Sequence, residues 1–161
     1  MTVPVSSLTA FSLGAEDGRT REPLDILGQT TLVKLANADS DGAAAVFHIT
    51  APPMSGPPLH RHSREDEWFY ILEGEITFEI DGKRFIVRDG GSGFAPRGTA
   101  HTFQNFTNTT AKLLVMTTPG GFSEFFETLA AANKGLAVPD FARSEQIMNE
   151  YGIEMLGPPL S

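Results

Sequence analysis

The sequence predicts an all-β protein with two short helices near its C-terminal end. The first observation is the frequency of glycine and proline. The 16 glycines and 11 prolines divide 161 residues into short segments, as turns between strands do. The second is Asp81-Gly82, which lies between two alternating segments and is typical of a type I′ hairpin turn. The third is a change in apolar spacing near residue 122, from a period of two to the helical period.

Eight segments have the character of short strands. Residues 1–25 show no clear period and are predicted to be an extended or partly disordered lead-in. The predicted strands follow at 29–36, 43–51, 67–73, 75–80, 83–88, 92–95, 101–106 and 111–118. Short strands with antiparallel connections predict a sandwich, a jelly roll or a small barrel, with its core at about 29–118.

Two amphipathic helices are predicted after the last strand. Apolar residues repeat at helical spacing from Phe122 to Leu129, with Ser123 as the predicted N-cap and Gly135 as the stop. A second helix is predicted from Asp140, its N-cap, to Tyr151. We expect this extension, at about 122–152, to cover an open edge or mouth of one domain that comprises residues 1–161.

Composition excludes several function classes. The 12 basic and 20 acidic residues give a net charge of −8, which argues against binding to nucleic acid or an anionic membrane. The lack of cysteine excludes disulfides, thiol catalysis and iron–sulfur clusters. The sequence has no apolar run long enough to predict a membrane span, and residues 1–18 lack the features of a secretory signal. We therefore expect a cytoplasmic protein.

The first cluster with chemical potential contains two histidines and a glutamate. His60 and His62 are two residues apart, so an extended strand would present both imidazoles on one face. Glu67 lies at an odd offset from both and would face the other way on an unbroken strand. The polar residues 63–66 predict a turn that resets the alternation, so that Glu67 begins the next strand with an inward carboxylate.

The second cluster surrounds His101. Residues 96–99 predict a tight turn, after which His101 shares a strand face with Phe103 and Asn105, and we expect Asn105 to hold a turn. Three imidazoles and one carboxylate suit Fe, Ni, Mn, Co, Cu or Zn, because the set is too rich in nitrogen for Mg or Ca. Six-coordinate geometry would leave two positions for water, O2 or substrate, which is typical of catalysis.

These clusters resemble the paired motifs of the cupin superfamily. The first follows the pattern G-x5-H-x-H-x(3,4)-E-x6-G, and the second matches G-x5-P-x-G-x2-H-x3-N at every fixed position from Gly90 to Asn105. The 15 residues between them, 75–89, have the length common in small microbial cupins. One departure is that Gly56 lies too close to His60 to be the leading glycine, and Met54 occupies that position.

The resemblance implies a conical jelly-roll barrel that holds one metal ion. The ligands would be His60, His62, Glu67 and His101. Residues around Glu67 and the segment 121–127 are similar to single-domain cupins of the quercetin-dioxygenase type. This implies a small-molecule substrate, and because small cupins are often paired, the resemblance also implies a homodimer.

Other residues have a structural or a functional interpretation. Candidates for a substrate pocket are His48, Phe69 and Phe103, the last because it shares the face of His101. The wider set predicted to form the core is Phe69, Phe78, Phe85, Phe94 and Phe103. The acidic pair Glu65 and Asp66 is predicted to be a solvated turn.

Three functions fit this site. The first is a metal-dependent oxidoreductase of dioxygenase type that acts on a small aromatic or enolisable substrate, with Glu67 as the catalytic base. The second is a metal-dependent isomerase, epimerase, lyase or hydrolase, in which the metal polarises a carbonyl group. The third is a barrel that binds a small ligand without turnover. Fold alone does not choose among them.

Overall fold

The computed structural model describes residues 8–161, which form two antiparallel sheets, two α-helices and a 3-10 helix at Asn37–Ser40. The strands are β1 (Leu24–Ile26), β2 (Gln29–Leu35), β3 (Ala45–Ala51), β4 (His60–His62), β5 (Asp66–Glu73), β6 (Glu75–Ile80), β7 (Lys83–Arg88), β8 (Ser92–Ala95), β9 (His101–Gln104), β10 (Ala111–Thr118) and β11 (Ile153–Met155). The helices are α1 (Phe122–Asn133) and α2 (Phe141–Glu150). The larger sheet has the order β1-β2-β3-β10-β5-β8, and the smaller has β11-β4-β9-β6-β7.

All eight predicted strands are present, and β1, β4 and β11 are additional. Each of these three has only three residues, too few to show a period, and β11 pairs with β4 across about ninety residues of chain. Of the predicted lead-in, residues 1–7 lie outside the described residues, whereas Leu24 and Asp25 belong to β1.

The predicted hairpin turn between β6 and β7 is confirmed. Asp81 and Gly82 have φ values of 52° and 71°, both positive as a type I′ turn requires, and Ile80 pairs with Lys83. This turn fixes the register of the smaller sheet. Because side chains alternate, that register decides which side chains of β6 face the core.

The core joins the inner faces of the two sheets. The ring of Phe69 on β5 lies 5.0 Å from that of Phe78 on β6 and 6.2 Å from that of Phe103 on β9. Two of the five phenylalanines predicted for the core are exposed, Phe85 by 47% and Phe94 by 54%. Phe94 lies on the edge strand β8 and pairs with the outward-facing Trp68, so its parity places the ring in solvent. Phe85 pairs with the buried Phe78 and shares its face, but it lies on the edge strand β7, which leaves the ring exposed.

Of the two predicted helix N-caps, one is confirmed and the other is wrong. The side chain of Asp140 accepts a hydrogen bond from the backbone N–H of Arg143, so it is the N-cap of α2 as predicted. Ser123 was predicted to cap α1, but the N-cap is Gly121. Ser123 is instead buried in the first turn, where its hydroxyl accepts a hydrogen bond from the backbone N–H of Asn37.

Helix α1 packs onto the inner face of the larger sheet. Phe47 of β3 lies 5.9 Å from Phe122 and 4.7 Å from Phe126, both with edge-on ring geometry. The helices therefore cover the space between the two sheets. Within residues 8–161, no helix has both the length and the apolar character that a membrane crossing requires.

Candidate metal centre

His60 and His62 reach the interior because the side chains of β4 alternate between the inner and outer faces of the sheet. His60 and His62 are buried, whereas Arg61 between them is exposed and pairs with Glu154 of β11, its Nε lying 2.8 Å from Oε2. β4 pairs with β9 so that His60 is directly opposite His101. The sheet register thus brings together three imidazoles that are separated by up to 41 positions in the sequence.

Glu67 joins them from the other sheet. The predicted change in side-chain alternation occurs before Glu67. Residues 63–65 leave the strand conformation, and β5 then presents Glu67, Phe69 and Ile71 to the interior. Glu67 pairs with Thr117 of β10 and Ala95 of β8, which fixes its position in the middle of the sheet. Trp68 and Tyr70 face away from the cluster, as their parity predicts.

The four side chains are close enough to bind one metal ion. One potential ligand atom from each lies within 4.8 Å of those of the other three. Glu67 Oε2 is 2.8 Å from His101 Nε2 and 3.4 Å from His62 Nε2. Ligands at right angles around a first-row metal are separated by about 3 Å, so these distances fit a shared ion. Nε2 of His62 is buried without a hydrogen-bond partner among the described residues, which fits a nitrogen that would bind a metal.

Backbone carbonyls orient two of the three imidazoles. His60 Nδ1 donates to the carbonyl of Pro58 at 2.7 Å, and His101 Nδ1 donates to that of Thr99 at 2.9 Å. A carbonyl can only accept, so each Nδ1 carries a proton, which leaves Nε2 as the ring atom that can bind a metal. In this structure Nε2 of His101 donates to Glu67 Oε2, and a bound metal would replace that proton. These contacts preset the tautomer that metal binding needs.

Burial and mutual proximity set the protonation of the cluster. Burial, reinforced by His101 and His62, lowers the pKa of His60 from 6.5 to about 3. Burial would raise the pKa of Glu67, but His62 and His101 outweigh it and lower the value to about 2. Burial would lower the pKa of His101, but the hydrogen bond that its Nε2 donates to the Glu67 carboxylate outweighs burial and raises the pKa. At neutral pH the cluster therefore offers an ionised carboxylate and a neutral His60.

A small apolar cavity of about 60 Å³ adjoins the cluster. His60, Glu67 and His101 contribute to its wall, and within residues 8–161 Gln29 is the only other polar side chain that lines it. The apolar part of the wall comes from both sheets, from α1 and from α2. A larger surface groove of about 750 Å³, between residues 20–28 and the end of α1, contains none of the four candidate ligands.

The cavity includes two of the three predicted pocket residues. Phe69 and Phe103 line it, and Phe103 shares the inward face of His101 as predicted. His48 does not reach it. Phe47 and Ile49 fill the inward positions of β3, so His48 points to the outer face, where it lines a surface cavity with Lys34 and Leu72.

Several residues near the centre were not identified from the sequence. The rings of Phe122, Phe125 and Phe126 line the cavity, and that of Phe122 stacks on His62 with centroids 4.9 Å apart. Their helical spacing was visible, but not the surface against which the helix packs. Glu65, predicted to be solvated, is only 5% exposed.

Comparisons with known proteins agree with this architecture. The family model of the cupin domain matches residues 47–117. Over 104 residues the chain is 30% identical to quercetin 2,3-dioxygenase of Bacillus subtilis, an alignment that covers 65% of this chain and 31% of that protein. It is 37% identical over 65 residues to an oxalate-binding protein of Thermotoga maritima, covering 40% of this chain and 54% of the relative. The chain thus spans a third to a half of these relatives.

Solved structures show the same fold. The crystal structure of a predicted oxalate decarboxylase from Thermotoga maritima superposes with a TM-score of 0.54 at 29% identity, covering 56% of this chain and 80% of the other. The polyketide cyclase RemF from Streptomyces resistomycificus gives a TM-score of 0.56 at 24% identity, covering 68% and 80% of the two chains. With both motifs, the two-sheet fold and the convergent histidines, this chain is a member of the cupin superfamily.

Proposed function

We propose that this protein is a metal-dependent enzyme of dioxygenase type that acts on a small, uncharged aromatic or enolisable substrate. The observation that carries the proposal is the position of the four-residue cluster at the wall of an apolar cavity. His60, His62, Glu67 and His101 would hold one divalent ion of Fe, Ni, Mn, Co, Cu or Zn. When bound, such an ion acts as a Lewis acid, and the redox-active members also support chemistry with O2.

The wall of the cavity supports an uncharged substrate. No lysine or arginine is among the residues that line it, and Gln29 alone could donate a hydrogen bond from outside the ligand set. A dianion such as oxalate would therefore find no cationic partner in this wall other than the proposed metal ion. The phenylalanines instead favour a flat apolar molecule with one or two oxygen atoms.

Glu67 is the proposed catalytic base. Its carboxylate is ionised at neutral pH because the neighbouring imidazoles lower its pKa to about 2. Oε2 lies between His62 and His101, which leaves Oε1 to take a proton from a substrate hydroxyl or an enolisable carbon. The surrounding rings exclude water, and this strengthens the interaction of the carboxylate with the substrate.

Substrate entry requires the helices to move. An aromatic ring occupies a cavity of about 150 Å³, more than twice the cavity seen beside the cluster. Phe122, Phe125, Phe126 and Leu129 of α1 form one side of this cavity. We therefore assign α1 the role of a cover that shifts when a ring-sized substrate binds.

An ionised Glu67 also favours the second candidate, a metal-dependent isomerase, epimerase or lyase. These reactions need a carboxylate that removes a proton next to a carbonyl group, and they do not consume O2. Noncatalytic binding of a small ligand is the remaining alternative. The three functions make different demands on O2 and turnover, which one assay can separate.

The test is oxygen uptake by protein reconstituted with each of the six metals, in the presence of flavonols and related enols. We expect uptake in the parent protein, its loss in Glu67→Gln, and its retention in His48→Gln, which alters a histidine on the outer face. Product formation without O2 uptake would support the second candidate. If the protein shows neither O2 uptake nor product formation with any of the six metals, that result would contradict an enzymatic role.

Two architectural proposals accompany this function. We propose that the sheets close into the conical barrel of cupins and that the chain forms one domain, which the single core cluster across both sheets and both helices supports. We also propose a homodimer, supported by the outward Trp68 and Tyr70, stacked at 5.7 Å, beside the exposed Phe94. Light scattering on the purified protein would give the mass of the dimer or that of the monomer.

A further inference from the structure

A buried carboxylate outside the ligand set lies beside the metal centre. Glu65 is 5% exposed, although it belongs to the polar turn between β4 and β5. Its neighbour Asp66 is partly exposed and forms a two-point ion pair with Arg97, with contacts of 3.0 and 2.9 Å. Glu65 has no such pairing with a lysine or arginine among the described residues. Because a buried carboxylate is costly without a polar partner, its position calls for an explanation.

The polar group that faces Glu65 is the imidazole of His62. Glu65 Oε2 lies 3.6 Å from His62 Nδ1, and neither atom has a hydrogen-bond partner. On the opposite side of the ring, His62 Nε2 faces Glu67 Oε2 at 3.4 Å. Glu65 therefore lies on the side of the ring away from the cluster, which agrees with its absence from the group of four possible ligands.

Of the three candidate histidines, His62 is the one whose Nδ1 has no backbone acceptor among the described residues. The Nδ1 atoms of His60 and His101 donate to the carbonyls of Pro58 and Thr99. No carbonyl takes the equivalent position at His62, whose Nδ1 faces a carboxylate instead. A carboxylate can do what the carbonyls do and also makes the imidazole a stronger ligand, because its charge stabilises the N–H dipole.

We propose that Glu65 is a positioning residue for His62. Glu65 Oε2 accepts a hydrogen bond from Nδ1–H once the 3.6 Å gap closes by a small side-chain rotation, and this directs the lone pair of Nε2 toward the metal. The stacked ring of Phe122, at 4.9 Å and 17°, limits tilting of the imidazole, while Glu65 sets its rotation and its tautomer. This inference rests on the proposed metal centre.

Affinity for Co²⁺ tests the inference without reference to activity. Apparent dissociation constants are measured by competition with a chromophoric chelator for the parent, Glu65→Leu, Glu65→Gln and the matched control Asp66→Asn. We expect Glu65→Leu to weaken binding by about 10- to 100-fold, and Glu65→Gln, which keeps an acceptor oxygen, to weaken it less. Asp66→Asn, which removes the same charge from the adjacent residue, should remain within about twofold of the parent.

A second measurement separates positioning from folding. Leucine suits a buried site, so metal-free Glu65→Leu should unfold at or above the temperature of the metal-free parent. The effect of Glu65→Leu on Co²⁺ affinity should also disappear in a His62→Ala background and persist in a His60→Ala background. Affinity of Glu65→Leu equal to that of the parent would overturn the inference alone. A parent that binds no Co²⁺ would overturn the metal centre and this inference together.

Discussion

Acidification should destabilise the metal-free protein through His60. The pKa of this buried imidazole is lowered to about 3, whereas its ordinary value is 6.5. Between these two values the unfolded chain binds a proton at His60 that the folded protein does not bind. Stability is therefore retained above the ordinary pKa and is lost as the pH falls from 6.5 toward 3.

The magnitude follows from the two pKa values. Between about pH 6 and about pH 4, His60 should cost about 2–3 kcal/mol of unfolding free energy, near the limit of about 1.4 kcal/mol per pH unit for one proton. Glu67 acts in the same direction but later: its stabilising effect is present above the ordinary value of 4.5 and is lost toward about 2. His101 has a raised pKa, so its stabilising effect is present below 6.5 and is lost only as the pH rises.

Urea denaturation of chelator-treated protein at the two pH values measures this loss. His60→Gln should remove about 2 kcal/mol of the pH dependence, because glutamine does not titrate. His48→Gln is the matched control: His48 is only half-buried and lies on the outer face, so most of the dependence should remain. Equal losses in the parent and in His60→Gln would refute the reasoning.

Three further substitutions should change the unfolding free energy measured in urea. Phe122→Ala should lower it by about 3–5 kcal/mol, because the ring is 4% exposed and contacts Phe47 and His62; a loss below about 1 kcal/mol would contradict this packing. Asp140→Ala should lower it by about 1 kcal/mol through loss of the α2 N-cap, and an unchanged midpoint would argue against the cap. Met54→Gly should raise it by about 0.5–1 kcal/mol, because Met54 is 64% exposed and has a φ of 60°; destabilisation would contradict the strain.

The departure from the first cupin motif has a structural explanation. Met54 occupies the position of the leading glycine and adopts the left-handed conformation that glycine would adopt without strain. Gly56 is required for another reason, since a Cβ atom there would lie 2.1 Å from the carbonyl oxygen of Phe103. The two positions thus have separate roles in the loop before β4, and neither supplies a candidate ligand.

Local patterns were sufficient to predict eight of the eleven strands of the described residues and the candidate ligands. The period of two located eight strands, and the spacing of His60, His62, Glu67 and His101 identified the group that the structure brings together. Asn105 holds a turn as predicted, donating to the carbonyls of Ala51 and Thr109. Within each of the two clusters the signal is carried by residues that are close in the sequence, whereas the resemblance to the cupin motifs implied that the two clusters converge.

Contacts between distant segments explain what could not be predicted. The rings of α1 were recognised as one helix face, but their packing on Phe47 and His62 depends on how α1 returns to the sheets. Burial of Glu65 likewise depends on the fold around its turn, and composition alone favoured a solvated carboxylate there. His48 was a candidate for the pocket, but it lies on the outer face of β3, because the side of the sheet that holds the cavity depends on how the two sheets pack.

Metal content is the most direct test of the central claim that four side chains form a metal centre. Elemental mass spectrometry would be applied to protein purified without chelator, together with Glu67→Ala, His101→Ala and the outer-face control His48→Ala. We expect about one transition-metal ion per chain in the parent and in His48→Ala, and its loss in the two ligand variants. A parent that contains no metal after reconstitution with each of the six ions would contradict the claim, as would ligand variants that retain the metal.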